Sequence, residues 1–239
     1  MIALRPLLGR FPKGDGHTVM TLPGFFGADG STASLRKYLN KQGYHAMPWG
    51  LGRNVPEDGM KGMDEAMAFR REMEETLADL IAQEVQRSGG KVSLVGWSLG
   101  GLYATGLAHR YPELVRQVVT LGTPFGDPRG TALYAVLQRL YQGQVTEDTM
   151  NEWIGFTFAG ELSVPVTALY SLTDGIVGKD IARLPEHPMM ENIAVMASHV
   201  GFPFNPLVRG VLAERLAQLE GHWRPYSAPS LRPFVYQPA

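Results

Sequence analysis

Short apolar runs rich in β-branched residues alternate with helical patterns along this chain, and that alternation restricts the fold more than any other feature. "HTVMTLPG" (17–24), "YHAMPW" (44–49), "KVSLVG" (91–96), "VRQVVTLGTPF" (115–125), "VPVTALYSLTD" (164–174) and "ENIAVMASH" (191–199) read as strands. The segment "DGSTASLRKYLNKQG" reads as a helix capped by Ser31 or Thr32 and stopped by Gly43. A longer helix is predicted over 63–88, with Met63, Met67, Met73, Leu77, Leu80, Ile81 and Val85 at three- and four-residue steps. "SLGGLYATGLAHRYP" is a third, stopped before Pro112, and "NPLVRGVLAERLAQLEG" a last one, with Asn205 at its cap and Pro206 in its first turn. Strands that alternate with helices make an α/β fold: a mostly parallel sheet, here of about six strands, with helices on both faces. At 239 residues, 44% of them hydrophobic, the chain suits one domain over 1–239, with residues 125–163 as a small lid insertion within it. The tail from Gly221 carries Pro225, Pro229, Pro233 and Pro238 and reads as extended chain lying across the surface.

Composition removes several classes of function. The 22 basic and 23 acidic residues leave a net charge of -1 with no long block of one sign, so there is no electrostatic footprint for nucleic acid or an anionic membrane. The expected partner is a small apolar molecule. The absence of cysteine excludes disulfides, thiolate nucleophiles and cysteine metal sites. No H-E-x-x-H or His/carboxylate cluster has metal spacing, and "GFFGADGS" lacks the Gly-Lys-Ser/Thr ending of a phosphate loop. The opening "MIALRPLLGRFPKGDG" is too short in apolar residues, and too interrupted by Arg5, Pro6 and Arg10, to read as a secretory segment. No run has transmembrane length, so the expectation is a soluble cytoplasmic protein.

"LVGWSLGG" (94–101) puts Ser98 in G-x-S-x-G spacing after a strand and before a helix. In that context the turn strains the central residue, lifts its hydroxyl above the carboxyl end of the sheet and aims the first helical N–H groups at any charge that develops there. A serine needs a base, and the base needs an orienting acid. Both must reach the same edge of the sheet. Among six histidines, His199 ends the last strand, His187 precedes it, His17, His45 and His109 come at or before the elbow's helix, and His222 lies beyond the last helix. Asp174 ends the preceding strand, with Asp180 in "GKD" as its rival. The order Ser98, Asp174, His199 is that of the α/β-hydrolase triad. For an oxyanion hole, Leu99 follows the nucleophile and supplies one N–H, and "LPGFFG" supplies the other from Phe25, with Phe26 as the alternative donor.

Together "LPGFFG", "PWGLGRN", "LVGWSLGGLYA", "VVTLGTPF", "SLTDGIV" and "SHVGF" resemble the α/β-hydrolase superfamily, and within it bacterial serine esterases and lipases, from about residue 17 to residue 221. The resemblance implies a cofactor-free hydrolase acting through an acyl-enzyme, with Ser98, Asp174, His199, Leu99 and Phe25 in the family's roles. The chain departs from the pattern at Pro23, where many members carry histidine, and in residues 1–16, where the first two strands of the full eight-stranded sheet are not recognisable. Specificity is expected from the 125–163 insertion, whose helical pattern (Leu133, Val136, Leu137, Leu140, Tyr141) precedes the aromatics Trp153, Phe156 and Phe158. Trp153 and Phe156, with Phe26 and Trp97, are the predicted contacts to an apolar acyl group. Three classes remain open: a carboxylic-ester hydrolase, an acyltransferase or thioesterase with the same triad, and a noncatalytic binding protein on this fold.

Overall fold

The computed structural model describes residues 11–56, 62–132, 134–135 and 146–226. Its six strands are β1 (Thr18–Leu22), β2 (His45–Pro48), β3 (Val92–Trp97), β4 (Val115–Leu121), β5 (Val166–Tyr170) and β6 (Met190–Ala194). They form one sheet in the order β2-β1-β3-β4-β5-β6, and every neighbouring pair is parallel. The helices are α1 (Asp29–Gln42), α2 (Met63–Ser88), α3 (Leu99–Arg110), α4 (Glu147–Thr157) and α5 (Pro206–Leu216).

A parallel sheet must be covered on both faces, and the alternation of side chains along each strand builds two cores. Val19, Val95, Val119 and Ile193 pack with Leu35 and Leu39 of α1 and Val211 and Leu212 of α5. Met20, Leu94, Val118 and Ala168 face the other way, against Leu77 and Ile81 of α2 and Leu102 and Leu107 of α3. Each Val, Leu, Ile or Met side chain among them contributes about 1.5–3 kcal/mol through burial. The chain runs from β1 out to β2 and then back past β1 to β3, so the strand order reverses between β1 and β3. The crevice at the carboxyl ends of those strands is where an open α/β sheet accommodates a ligand.

The long helix has the predicted bounds, and Gly43 and Gly89 end α1 and α2 in the left-handed conformation that lacks a penalty only for glycine (φ 104° and 74°). Three details differ from the sequence reading. Ala28, not Ser31 or Thr32, stands at the N-cap of α1, and Ser31 Oγ turns back to donate to Ala28 O at 2.7 Å. The last strand ends at Ala194 rather than 199, because its partner β5 ends at Tyr170 and the ladder closes with Val195 N donating to Tyr170 O. The buried face of α2 includes Arg70 and Glu74, whereas Met73 and Leu80 are only half-buried. The helical pattern at Leu133, Val136, Leu137, Leu140 and Tyr141 lies outside the described residues, as do residues 1–10 and the tail prolines Pro229, Pro233 and Pro238; His222–Tyr226 carry no regular structure.

Candidate active site

Ser98 sits at the junction of β3 and α3 with φ 53° and ψ -123°, and among the described residues only Phe26 shares a positive φ without being glycine. Strain of this kind, of order 1–3 kcal/mol, persists only where the surroundings impose it. The glycines beside it explain how. A Cβ on Gly96 would lie 2.5 Å from Gly100 O, and one on Gly100 would lie 2.6 Å from Leu22 O, so the strand and helix can close on each other only with hydrogen at both positions. Ser98 N donates to Leu121 O at 2.9 Å, and its carbonyl accepts from Thr123 Oγ1 at 3.0 Å, which locks the elbow to the end of β4.

The hydroxyl that results is 3.0 Å from His199 Nε2, and His199 Nδ1 is 2.8 Å from Asp174 Oδ2. A carboxylate only accepts, so the ring proton sits on Nδ1 and Nε2 is left to accept from the serine. That is the tautomer a general base needs. The Asp174 side chain is 1% exposed, and its other oxygen accepts from the N–H groups of Ile176 (2.8 Å) and Val177 (2.9 Å). Three donors thus hold one carboxylate in one orientation. The rival Asp180 is 80% exposed beside Lys179 and takes no part. His199 lies five residues past the end of β6, and Trp97 Nε1 donates to its carbonyl at 3.1 Å, which fixes the loop that carries it.

Gly122 was not foreseen as part of this site. It follows β4 with φ 58°, and a Cβ there would lie 3.0 Å from Asp174 Oδ2 and 3.2 Å from His199 Nδ1. The "LGTPF" segment held the only signal, and glycine is required twice over, for its backbone and for the space it leaves.

The loop after β1 lies against the elbow, since a Cβ on Gly24 would be 3.1 Å from Ser98 Cβ. Gly27 N donates to Gly24 O at 2.9 Å, making a turn whose third residue is Phe26 at φ 59°. Phe26 N donates to Asn54 O at 3.1 Å, so the alternative donor of the sequence reading is already engaged, which leaves Phe25 as the proposed one. Leu99 is the first residue of α3, where an N–H has no acceptor within the helix.

Ser98 opens onto a cavity of about 110 Å³ whose walls include Phe25, Leu99, Tyr103, Met150, Trp153 and Ile176. Of the four predicted acyl contacts, Trp153 alone lines it. Phe26 is half exposed, its ring tilted against that of Phe25 with ring centres 4.2 Å apart. Trp97 is spent on His199 and on the core beneath α1 and α5. Phe156 points away, toward three guanidinium groups: Arg110, Arg70 and Arg71 stand 4.1, 4.9 and 5.5 Å from its ring centre.

Arg70 and Arg110 belong to a charged cluster that periodicity did not reveal. Arg70, fully buried on the apolar face of α2, bonds Glu74 Oε1 (2.9 Å), Trp153 O (2.9 Å) and Thr157 Oγ1 (2.8 Å), and Arg110 bonds Phe156 O (2.7 Å) and pairs with Glu74. Cations thus satisfy the carbonyls at the C-terminal end of α4, where the helix dipole is negative. Burial pushes the guanidinium pKa values down, to about 9 for Arg70 and about 10 for Arg110, with the neighbouring Arg70 charge adding to the latter. The wall that carries Trp153 is therefore pinned to α2 and α3.

Among the described residues, no group of three metal-ligating side chains forms and no helix is long and apolar enough to cross a membrane. Comparison with known proteins adds relatives to the geometry. The chain is 32% identical to the human serine hydrolase BPHL over 114 residues, 46% of this chain and 36% of that protein. It is 40% identical to the biotin biosynthesis bifunctional protein BioHC of Teredinibacter turnerae over 47 residues, 20% of this chain and 8% of that one. These matches span well under two thirds of either relative. In fold it resembles the mature Bacillus licheniformis lipase BlEst2 (TM-score 0.63, 19% identity, 87% of this chain and 94% of that one) and the Paleococcus ferrophilus monoacylglycerol lipase (0.59, 18%, 87% and 96%). The model of the alpha/beta hydrolase family matches residues 4–235, and with a six-stranded parallel sheet and a serine elbow at its switch point, the chain belongs to that family.

Proposed function

We propose that this protein is a serine carboxylic-ester hydrolase that acts on esters of apolar acyl groups through an acyl-enzyme. Ser98 Oγ attacks the ester carbonyl as its proton passes to His199 Nε2, while Asp174 stabilises the imidazolium that forms. The negative charge on the carbonyl oxygen is received by the N–H groups of Leu99 and Phe25. Collapse of this intermediate expels the alcohol, which takes the proton back from His199. Water then attacks the acyl-enzyme, gives its proton to His199, and the acid leaves as Ser98 regains the proton.

The observation that carries this reading is the unbroken chain Ser98–His199–Asp174 opening onto an apolar cavity. The cavity favours an acyl chain over a sugar or a charged group. Within residues 125–163, proposed as the lid, α4 is the fixed wall of the acyl site. The names of two relatives, a serine hydrolase and a lipase, agree with the assignment.

Turnover of p-nitrophenyl acetate and octanoate, with labelling by a fluorophosphonate, tests it. The expected result is hydrolysis of both, stopped by one equivalent of label on the peptide containing Ser98. Label without hydrolysis, but with turnover on adding an alcohol or thiol, would make the protein an acyltransferase. Neither label nor turnover would sink the enzymatic reading.

A further inference from the structure

Asn54 lies outside the triad and the cavity, yet the loop proposed to carry the oxyanion donor hangs on it. It is fully buried. Its side-chain Nδ2 donates to Pro23 O at 2.9 Å, its backbone N donates to Gly27 O at 2.8 Å, and its backbone carbonyl accepts from Phe26 N at 3.1 Å. One residue thus grips the loop 23–27 at both ends and at the strained Phe26. The remaining side-chain acceptor, Oδ1, takes the hydroxyl of Tyr103 at 2.9 Å, and Tyr103, 1% exposed on α3, presents its ring to the cavity.

The backbone of this turn has a reason to need such a hold. Phe26 in the left-handed region is disfavoured for a residue with a Cβ, and the turn relaxes unless something opposes it. The Phe25 N–H lies on the Gly24–Phe25 peptide, between the two groups that Asn54 holds, Pro23 O and Phe26 N, and relaxation of the turn at Phe26 would shift it from the elbow. Asn54 opposes that shift by accepting from the Phe26 N–H. It also pins Pro23, one residue before Gly24, whose missing Cβ lets the loop approach Ser98.

We infer that Asn54 is the positioning residue of the oxyanion hole, and that Tyr103 sets its amide so that the wall of the acyl site and the Phe25 donor are held by one hydrogen-bond chain. The inference rests on the hydrolase reading above. No apolar residue can replace the amide, because Pro23 O needs a donor and Tyr103 an acceptor at the same side chain. A donor aimed at an oxyanion acts in the transition state and not on the bound ester, so its loss belongs in kcat and leaves KM near its original value.

The test compares wild type with Asn54→Asp, which keeps the shape and the Tyr103 acceptor but turns an acceptor toward Pro23 O, and with Tyr103→Phe, which keeps the ring in the cavity. Removing an oxyanion donor outright costs about 10²–10³ in kcat, and a misplaced one should cost roughly 10–100-fold for Asn54→Asp and less for Tyr103→Phe, with KM within about threefold. Two inhibitors separate positioning from general damage. An alkyl trifluoromethyl ketone, which forms a hemiketal oxyanion on serine, should weaken in parallel with kcat/KM, and the corresponding methyl ketone, bound as the carbonyl, should hold its affinity. If Asn54→Asp fails to fold by circular dichroism, Tyr103→Phe alone decides. Unchanged kcat, or equal weakening of both ketones, in a folded variant overturns the inference while leaving the hydrolase reading standing. A wild-type protein inert to esters and to the trifluoromethyl ketone overturns both.

Discussion

Two serines, Ser93 within β3 and Ser98 just past its end, each finish a Ser–His–Asp chain, at opposite ends of the strand. At the carboxyl edge Ser98 meets His199 Nε2, and His199 meets Asp174. At the amino edge Ser93 Oγ is 2.8 Å from His17 Nε2, and His17 Nδ1 bonds Asp15, whose other oxygen pairs with Arg116 at 2.9 Å. Residue types, atoms and order are the same in both chains. What differs is the surroundings. Ser93 is wholly buried within a strand, four residues before that strand ends, so no helix N-terminus faces it and no carbonyl carbon can approach it. Ser98 has a positive φ, a helix starting at the next residue, and a cavity at its hydroxyl. On the proposed reading a hydrogen-bonded triad is not sufficient for acyl transfer; the elbow, the proposed oxyanion donors and the access are what the carboxyl-edge chain has in addition.

The largest effect expected from this contrast is on turnover. Ser98→Ala should lower kcat by on the order of 10⁶, leaving roughly 10³–10⁴ over the uncatalysed rate from the oxyanion donors and binding. Ser93→Ala should leave kcat for p-nitrophenyl acetate within about twofold and appear in stability alone, because it leaves His17 Nε2 buried without its donor, a loss of about 1–3 kcal/mol. Were Ser93→Ala to abolish turnover while the fold is retained, the assignment of function to one edge would fail.

The acids give the next step down. Asp174→Asn should lower kcat by up to about 10⁴, since an amide beside Nδ1 favours the wrong tautomer of His199. The same change at Asp15 or at the exposed Asp180 should leave kcat unaltered. Steady-state kinetics on the three variants read this directly, and a large loss at Asp180 with none at Asp174 would mean the carboxylate was misassigned.

Much of the carboxyl-edge site could be read from local signals. The elbow is written in five consecutive residues, and its acid and base follow from which strand ends reach the same edge of the sheet. The amino-edge chain was not legible, because Ser93 and His17 are 76 residues apart and neither stands in a motif; pairing through β1 and β3 brings them together. Asn54 and Gly122 were equally hidden, since one acts on the backbone of a distant turn and the other by the space it leaves beside Asp174 and His199. The same limit explains Phe156. Trp153 and Phe156 are three residues apart on α4 and share a broad helix face. Helical spacing cannot say that Arg70, 4.7 Å from one ring centre and 4.9 Å from the other, stands between them and leaves only Trp153 to the cavity.

That division predicts a smaller and selective effect. Trp153→Ala should lower kcat/KM for an octanoate ester about tenfold and leave the acetate within a few-fold, because lost contact with two or three methylenes at about 0.8 kcal/mol each amounts to about 2 kcal/mol. Phe156→Leu should treat the two esters alike and lower the melting temperature instead, as three guanidinium groups lose their ring. Chain-length selectivity that follows Phe156 rather than Trp153 would mean that α4 turns its other side to the substrate.

The smallest expected effect concerns pH, and it returns to the amino edge. Burial is the main influence on His17, and although Asp15 opposes it, the imidazole pKa is lowered from its ordinary value. Burial works against the Asp15 carboxylate too, but the hydrogen bonds from His17 and the neighbouring Arg116 outweigh it and hold that carboxyl well below the usual range. For a histidine with a lowered folded-state pKa, the unfolded chain takes up the proton first. Stability is therefore complete above the unfolded value of about 6.5 and is lost as pH falls from there toward the folded value. Asp15 contributes in the same direction at lower pH, below the ordinary carboxylate pKa of about 4, so the two losses occur in separate windows. His109, also buried and also lowered mainly by desolvation, adds a slope of the same sign near that of His17, and only a difference between variants isolates His17. His17→Gln can still bond Ser93 and Asp15 but does not titrate. Urea unfolding at pH 7.5 and 5.5 should show wild type losing more stability than His17→Gln between these values, by less than the ~1.4 kcal/mol per pH unit that one proton allows. Equal losses in the two proteins would mean that the His17 imidazole binds its proton as readily in the fold as in the open chain, and that the amino-edge chain is held by packing against Tyr44, whose ring meets that of His17 edge-on with centres 5.0 Å apart, rather than by its charges.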